Sequence, residues 1–583
     1  MKILVFAKQI PDVNKIDYDP VTNRIIRENV PLSMNSFDKK AVEEAIRLKE
    51  KHGYEIMVAT MGPPQSKDIL NEALRMGIDR AFLISDRKFG GSDTLATSRI
   101  LSAFTKIVSP DIILMGKYSL DGETSQVPPE VAVFTGYSFK SSISKIEVED
   151  NGKTLIVEHE SENGLSRIRI PTPAVLSVSE KINRARAIKQ DTPDMFEKIE
   201  VYDSVKLGID IVGSEYSPTV VTGTRKIESY RNVEMLDFNE EVYDKVIRII
   251  RENREVKSSV DMIALKDPGE KADTILGVAI NDKRTAGEIS SKISQLANEH
   301  SLHVTVFGNI DPESDSGIIS HDYYYLNTSS NEEFADGLTE FINEKKPRYV
   351  IFPSTVDGRE IAGTVAGKLE LGLTADCVDL EIRDGKLIQY KPAFGGGIVA
   401  SIYSKTSPQM STVRPGMFKR LKSSNKQKVI EIKNLFKSRN EVLENTPVPS
   451  EYLPLGSSNL VIGVGRGLKK KEMLKDILGL AGILNAAVGG TRPIVDMGFM
   501  PRQQQIGLTG SSISPGVYIA LGVSGHANHV VGIRYCGKIL AINSDPSAEI
   551  FKFADYGIIA DIQDFIRGFT KYLSEVKSGI PGS

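Results

Sequence analysis

Cysteine is scarce in this sequence: Cys377 and Cys536 are the only two among 583 residues. There is no Cys-x-x-Cys pair, and the seven histidines form no ligand cluster with the cysteines. A structural zinc site and a disulfide scaffold are thereby excluded, and no metal is expected. Long apolar runs are missing too; nothing approaches the ~20 residues that a membrane-spanning helix needs. The opening Met-Lys-Ile-Leu-Val-Phe-Ala-Lys is too short in its apolar part for a signal-peptide core, because Lys8 follows at once. With the low cysteine use this gives a cytoplasmic expectation. Charge of one sign is equally absent. A net charge of -3 offers no field for nucleic acid, and the run Lys469-Lys470-Lys471 reads as a solvated helix face.

What is present is α/β grammar. Residues 2–7 form a buried apolar run, 38–50 an amphipathic helix, and 55–60 a second strand broken by Met61-Gly62-Pro63-Pro64. A helix over 66–76 and strands at 81–84 and 111–115 continue the alternation. This rhythm predicts a parallel-core sheet covered by helices on both faces. Residues 144–180 instead alternate apolar and polar, as appended antiparallel strands do. From 183 to about 260 the pattern dissolves into a polar stretch that reads as a connector, with helix-like turns near 239–254.

A second unit repeats the first in outline. Pro110-Asp111-Ile112-Ile113-Leu114, Asp121-Gly122-Glu123 and Val131-Ala132 find counterparts in Pro347-Arg348-Tyr349-Val350-Ile351, Asp357-Gly358-Arg359-Glu360 and Val365-Ala366. Two similar α/β domains about a pseudo-twofold axis are expected. The predicted boundaries are 1–182, a connector 183–258, 259–455, and a doubly wound C-terminal domain 456–583. Hinges are expected near 421–455 and within 183–260.

The C-terminal stretch is the most informative. The strand Leu460-Val461-Ile462 leads into Gly463-Val464-Gly465-Arg466-Gly467, with a helix opening near Lys469. Glycines at a strand-to-helix turn let backbone approach a phosphate, although this spacing is not Gly-x-Gly-x-x-Gly. Gly489-Gly490-Thr491-Arg492, Gln505 through Gly510, Ser524-Gly525 through His529, Asn543-Ser544-Asp545, and Asp561 follow, each at or after an apolar run. Polar or glycine-rich carboxyl ends on several strands of one small sheet point to a large nucleotide.

This ordered set closely resembles the α-subunit FAD domain of electron transfer flavoproteins. It runs from Val488-Gly-Gly-Thr-Arg-Pro through Gly507-Leu-Thr-Gly, Tyr518-Ile-Ala, Ser524-Gly525, His529 and Ala541-Ile-Asn-Ser-Asp-Pro to Ala554-Asp-Tyr-Gly-Ile-Ile-Ala-Asp561. The first unit resembles the β subunit of the same family through its opening strand, Ser33-Met34-Asn35, Ala41-Val42-Glu43-Glu44-Ala45, Ala73-Leu74-Arg75-Met76-Gly77 and Asp121 through Val127. The resemblance covers nearly the whole chain, with the β part preceding the α part. It implies FAD on Arg466, Thr491, Arg492, Gln505, Thr509, Gly510, Ser524, Gly525, His529, Asn543 and Asp561. Arg492 would stabilise negative charge on the reduced flavin. Thr509 would bond near N5, and His529 near the pyrimidine carbonyl. Arg466, Ser524 and Gly525 would hold phosphates or ribityl, and Asn543 and Asp561 the adenosine half. Leu508 departs from the Gln of many family members. Ser524 and His529 are better explained by this motif than by a hydrolase.

The resemblance also implies AMP, or in the bifurcating branch a second FAD, on Ala7, Asn35, Gly62, Asp121, Thr124, Ser125, Gln126 and Val127. The tract 121–129 looks more like the bifurcating branch. The bland alternative makes Asp121 a helix cap. The implied function is FAD-based electron transport. Electrons would come from dehydrogenases such as the acyl-CoA dehydrogenases of fatty acid β-oxidation and go to a membrane quinone oxidoreductase or another acceptor. The anchoring leucine for such donors has no clear match in 183–197, where Ile188, Met195 and Phe196 are the large apolar candidates. The alternatives are a bifurcating NADH-oxidising flavoprotein with two FADs and a non-redox AMP- or ATP-binding regulator.

Overall fold

The computed structural model describes the chain except residues 13–16, 20–23, 27–29, 163, 211, 227–230, 259–261, 270, 315–316, 394–396, 425–426, 448–451, 457, 508–509 and 576–583. The first unit runs β1 (Lys2–Phe6), α1 (Ser36–His52), β2 (Glu55–Met61), α2 (Lys67–Met76), β3 (Arg80–Ile84), α3 (Thr94–Val108), β4 (Ile112–Gly116) and α4 (Val127–Thr135). The antiparallel β5 (Ser138–Glu149), β6 (Thr154–Ser161) and β7 (Gly164–Pro171) follow, and β8 (Ala174–Val178) returns to the parallel core. The parallel strands are apolar on both faces because helices cover both. One core lies under α1 and α2, and the other under α3 and α4.

The stretch read as a connector contributes to three sheets. It contains β9 (Ile199–Tyr202), β10 (Thr219–Lys226), β11 (Glu234–Leu236) and α5 (Glu241–Ser258). The second unit comprises β12 (Thr274–Ala279), α6 (Lys283–His300), β13 (His303–Gly308), β14 (Asp322–Leu326), α7 (Asn331–Lys345), β15 (Tyr349–Pro353) and α8 (Val356–Leu369). It continues with β16 (Leu373–Cys377), β17 (Asp379–Arg383), β18 (Lys386–Ala393), β19 (Ile398–Ser404) and β20 (Gln409–Val413). Then come β21 (Lys428–Ile432) and β22 (Glu441–Pro447).

The repeat seen in the sequence extends to the backbone. The first sheet is ordered β9-β3-β2-β1-β4-β8-β5-β6-β7-β22, and the second β16-β20-β15-β12-β13-β14-β21, with a separate sheet β10-β19-β18-β17. Strands β9 and β21 extend their own units at matching edges. Strands β10 and β22 cross over, each pairing with the outer hairpin strand of the other unit. Ser142 and Asp376 sit at positive φ (54° and 62°) near matching register shifts of β5 and β16. Helices α4 and α8 meet on the axis, where Gly363 and Gly367 admit Pro129 and Val133. The buried pair Lys140–Glu360 (2.8 Å) and the contact His159–Asp357 (3.3 Å) join the units beside that helix pair.

The C-terminal unit contains β23 (Leu460–Val464), α9 (Leu474–Leu484), β24 (Ala487–Gly490), β25 (Val517–Leu521), α10 (Ala527–Ile533), β26 (Lys538–Asn543), β27 (Tyr556–Ile559) and α11 (Ile562–Glu575). The helix expected near Lys469 begins instead with a 3₁₀ turn at Lys471–Met473, followed by α9. Its parallel sheet is ordered β11-β27-β26-β25-β23-β24. Setting β11 aside, this is the doubly wound order 2-1-3-4-5. Helix α5 buries Val242, Tyr243, Val246 and Ile250 in the same core as Phe565 and Phe569 of α11. Among the described residues no helix is long and apolar enough to cross a membrane.

Candidate functional site

The strand order fixes where a ligand belongs in the C-terminal unit. Connections leave β23 and β25 in opposite directions, so a crevice opens between their carboxyl ends. Arg466 follows β23 there, Thr491 and Arg492 follow β24, Ser524 follows β25, Asn543 ends β26 and Asp561 follows β27. The loops are tied edge to edge. The Thr491 amide donates to the Val464 carbonyl (2.9 Å), Asn543 Nδ2 to the Val523 carbonyl (2.8 Å), and the Ala560 amide to the Asn543 carbonyl (3.2 Å). Arg466, Arg492, Ser524 and Asp561 are exposed. Among the described residues Arg492 bonds its own helix neighbour Asp496, Nε to carboxylate at 3.2 Å, and its side chain is exposed.

Three predicted residues do more for the protein than their expected roles suggest. Gly465 and Gly467 are pressed against Gly522, where a Cβ on either would overlap backbone. Their lack of a side chain therefore first serves loop-to-loop packing. Gly525, at φ 90°, is pressed against the Ile550 amide in the same way. The Ser511 amide bonds the Gln505 carbonyl at 2.7 Å, and the Gly510 amide bonds the Gly507 carbonyl at 2.9 Å. Leu508 and Thr509 lie outside the described residues.

His529 is buried, with both ring nitrogens engaged. Nδ1 faces the Ile506 carbonyl at 3.2 Å, and a carbonyl can only accept, so Nδ1 carries the proton. Nε2 then accepts from the Tyr518 hydroxyl at 2.8 Å. Burial pushes the imidazole down to about 4, so it is neutral at physiological pH. Gly463 makes this possible, since a Cβ there would overlap the Tyr518 hydroxyl. The buried Gln504 Oε1 has no partner among the described residues, an orphan acceptor beside the loop that carries Gln505.

The first unit holds a cavity of about 420 Å³, within the ~300–1,000 Å³ range of ligand pockets. Of the residues named for a nucleotide there, Ala7, Thr124, Ser125, Gln126 and Val127 line it. Asn35 does not; its buried amide donates to the Tyr118 carbonyl (2.9 Å) and shapes the loop. Gly62 is also absent from the wall, which Met61 supplies instead. Asp121 caps no helix. Helix α4 starts at Val127, and Asp121 pairs with Lys8 at 2.7 Å. Segment 121–126 stays unwound, with Glu123 and Ser125 at positive φ (51° and 58°). Gln126 is spent on the interface, donating to the Leu373 carbonyl (2.9 Å) and accepting from Thr94 (2.7 Å).

Sequence reasoning missed most of this cavity's wall. Ser92, Asp93, Thr94 and Thr97 come from the start of α3, and Leu373, Thr374, Lys391 and Ile402 from the second unit. A helix start capped by Asp93, whose carboxylate accepts from the Ala96 amide at 3.1 Å, was readable locally. The second-unit residues carry no local signal. Asp38 also lines the wall; burial pushes its carboxyl up to about 7, against the lowering bonds from the Lys8 and Gly116 amides. A separate cavity of about 600 Å³ beside α9 is lined by none of the predicted residues.

Comparison with known proteins bears on both regions. The family described as electron transfer flavoprotein domain matches residues 22–204 and 319–435. The electron transfer flavoprotein FAD-binding domain matches 454–534. The electron transfer flavoprotein subunit beta of Thermoanaerobacterium thermosaccharolyticum is 39% identical over 245 residues, covering 41% of this chain and 93% of that protein. The subunit alpha of the same organism is 36% identical over 259 residues, covering 43% of this chain and 78% of that protein. The caffeyl-CoA reductase-Etf complex subunit CarD of Acetobacterium woodii is 38% identical over 227 residues, covering 38% of this chain and 86% of that protein.

Proposed function

Because this chain belongs to the electron transfer flavoprotein family, with β-like and α-like parts in one polypeptide, we propose that it carries electrons between oxidoreductases through FAD in its C-terminal unit. The donor in this reading is a dehydrogenase, acyl-CoA dehydrogenases among them. The acceptor is a membrane quinone oxidoreductase or a comparable protein. The observation that carries the reading is the crevice between β23 and β25, with Arg466, Thr491, Arg492 and Ser524 on loops around it. FAD supplies the redox chemistry there. The chain's own residues orient the cofactor and set its electrostatics. Arg492, held by one neighbouring carboxylate, is free to turn its charge toward a ligand that gains negative charge. His529, neutral and doubly bonded, ties Ile506 and Tyr518 to α10 rather than adding a second cation.

The cavity of the first unit holds a nucleotide in this reading. One observation favours the alternative, an NADH-oxidising bifurcating flavoprotein with two FADs. The cavity runs past the 121–127 tract to α3 and on to the second unit, which gives a ligand longer than AMP somewhere to extend. Cofactor stoichiometry decides between the two. The visible spectrum of the purified chain is recorded, and the nucleotides released on denaturation are separated. One FAD with one AMP supports the simple carrier. Two FADs with bleaching by NADH support bifurcation. A colourless chain that FAD does not reconstitute refutes the proposal.

A further inference from the structure

The pseudo-twofold axis provides an internal control for one buried charge. His159 and Lys391 are each the sixth residue of an eight-residue middle strand, β6 and β18. Each points across the axis toward the Asp-Gly segment of the other unit. His159 is satisfied there: Nε2 lies 3.3 Å from Asp357, and Nδ1 2.7 Å from the Ser141 carbonyl. That arrangement exists because α8 begins at Val356 and brings Asp357 into its first turn.

Among the described residues Lys391 finds no such hydrogen-bonded carboxylate. The matching segment of the first unit is unwound, and its Asp121 has turned away to Lys8. Two other acids lie near: Asp376, which is held by Arg359 (2.9 Å) and Arg414, and Glu123 of the unwound segment, whose field acts on Lys391. The Lys391 ammonium is buried at 7% exposure, yet among the described residues its hydrogen bonding is limited to the Pro392 carbonyl at 3.4 Å. An ammonium has three donors, and leaving them unmet in the interior is costly. Beside it, Thr374 Oγ1 is buried and has no partner among the described residues. Both residues line the first unit's cavity from the second unit's side. Burial pushes the Lys391 ammonium downward, and the Asp376 and Glu123 carboxylates oppose that shift only in part.

We propose that Lys391 and Thr374 form an anion-recognition half-site, delivered by the second unit, that bonds a phosphoryl oxygen of the nucleotide in the first unit's cavity. The inference rests on the reading of that cavity as a nucleotide site. It adds that the ligand bridges the two units, and that its charge is read by the unit that does not carry the nucleotide tract.

The test uses the full chain with its C-terminal FAD in place and the cavity cleared of bound nucleotide. Adenosine, AMP and ADP are titrated calorimetrically into the parent, Lys391→Met, Lys391→Arg and Thr374→Val. Lys391→Met should weaken AMP or ADP about ten- to a hundred-fold, the worth of a charge-assisted hydrogen bond. Adenosine binding should be unchanged, and Lys391→Arg should recover most of the loss. Thr374→Val should show a smaller, phosphate-specific loss. A fall that is equal for adenosine and its phosphates makes Lys391 a packing residue and overturns the inference. So does no fall at all. A parent chain that binds none of the three overturns the nucleotide reading itself and the inference with it.

Discussion

Acidification should loosen the C-terminal unit through His529, by an amount that follows from its burial. The folded imidazole stays neutral down to about pH 4, whereas an unfolded histidine takes a proton near pH 6.5. Between those values the unfolded state binds more protons, so stability rises with pH and falls as the solution is acidified. It is fully present above pH 6.5. At ~1.4 kcal/mol per pH unit, moving to pH 5 costs about 2 kcal/mol. The chain has no tryptophan, so flavin emission on release gives an unmixed signal for unfolding in urea. A loss of that size lowers the urea midpoint by about 1 M at pH 5 relative to pH 7. His529→Gln keeps a donor for Ile506 and an acceptor for Tyr518 but cannot titrate, so its midpoint should move far less. Equal shifts in parent and variant, at the same free FAD, would refute the reasoning.

Gly465→Ala places a methyl on the Gly522 carbonyl; FAD retained per chain should drop while far-UV circular dichroism is unchanged. Glu360→Gln leaves the buried Lys140 ammonium without its counter-charge and should cost about 3–5 kcal/mol in thermal unfolding, most of it regained by adding Lys140→Met. A cost under ~1 kcal/mol would show that the pair is solvated. Arg231→Ala removes bonds to the Asp555 carboxylate and to the Cys536 (2.7 Å) and Gly537 (3.1 Å) carbonyls. Faster amide exchange across Glu241–Ser258 is expected; unchanged exchange would mean that α5 docks through its apolar face alone.

The parallel cores were legible because a strand buried on both faces must be a continuous apolar run, as Ile3-Leu4-Val5-Phe6 and Val461-Ile462 are. The repeat was legible for the same reason. Stretches 183–258 and 421–455 were not, because their strands pair along edges and bury little. All seven residues of β22 are exposed, so no alternation marks it. Edge pairing is paid for by backbone hydrogen bonds, which leave no trace in residue type. In the candidate sites, tracts contiguous in sequence were found, such as Thr124 through Val127. Lys391 and Thr374 escaped notice because strands so distant in sequence look the same whether they face a core or a cavity. His529 was noticed, but its tautomer depends on Ile506 and Tyr518, which only tertiary structure brings together.

The relatives from Thermoanaerobacterium thermosaccharolyticum are two separate subunits, and the placement of β11 and α5 says what joining them changes. A cut in this chain at 259–261 would leave residues 231–258 on the first fragment, with Tyr243 stacked on Phe569 in the core of the second. The fragments could separate only by opening that core. Carried in one polypeptide, the same insertion is a folding event whose completeness does not depend on protein concentration. Dilution, which can empty a two-chain complex of its partner, has nothing here to dissociate.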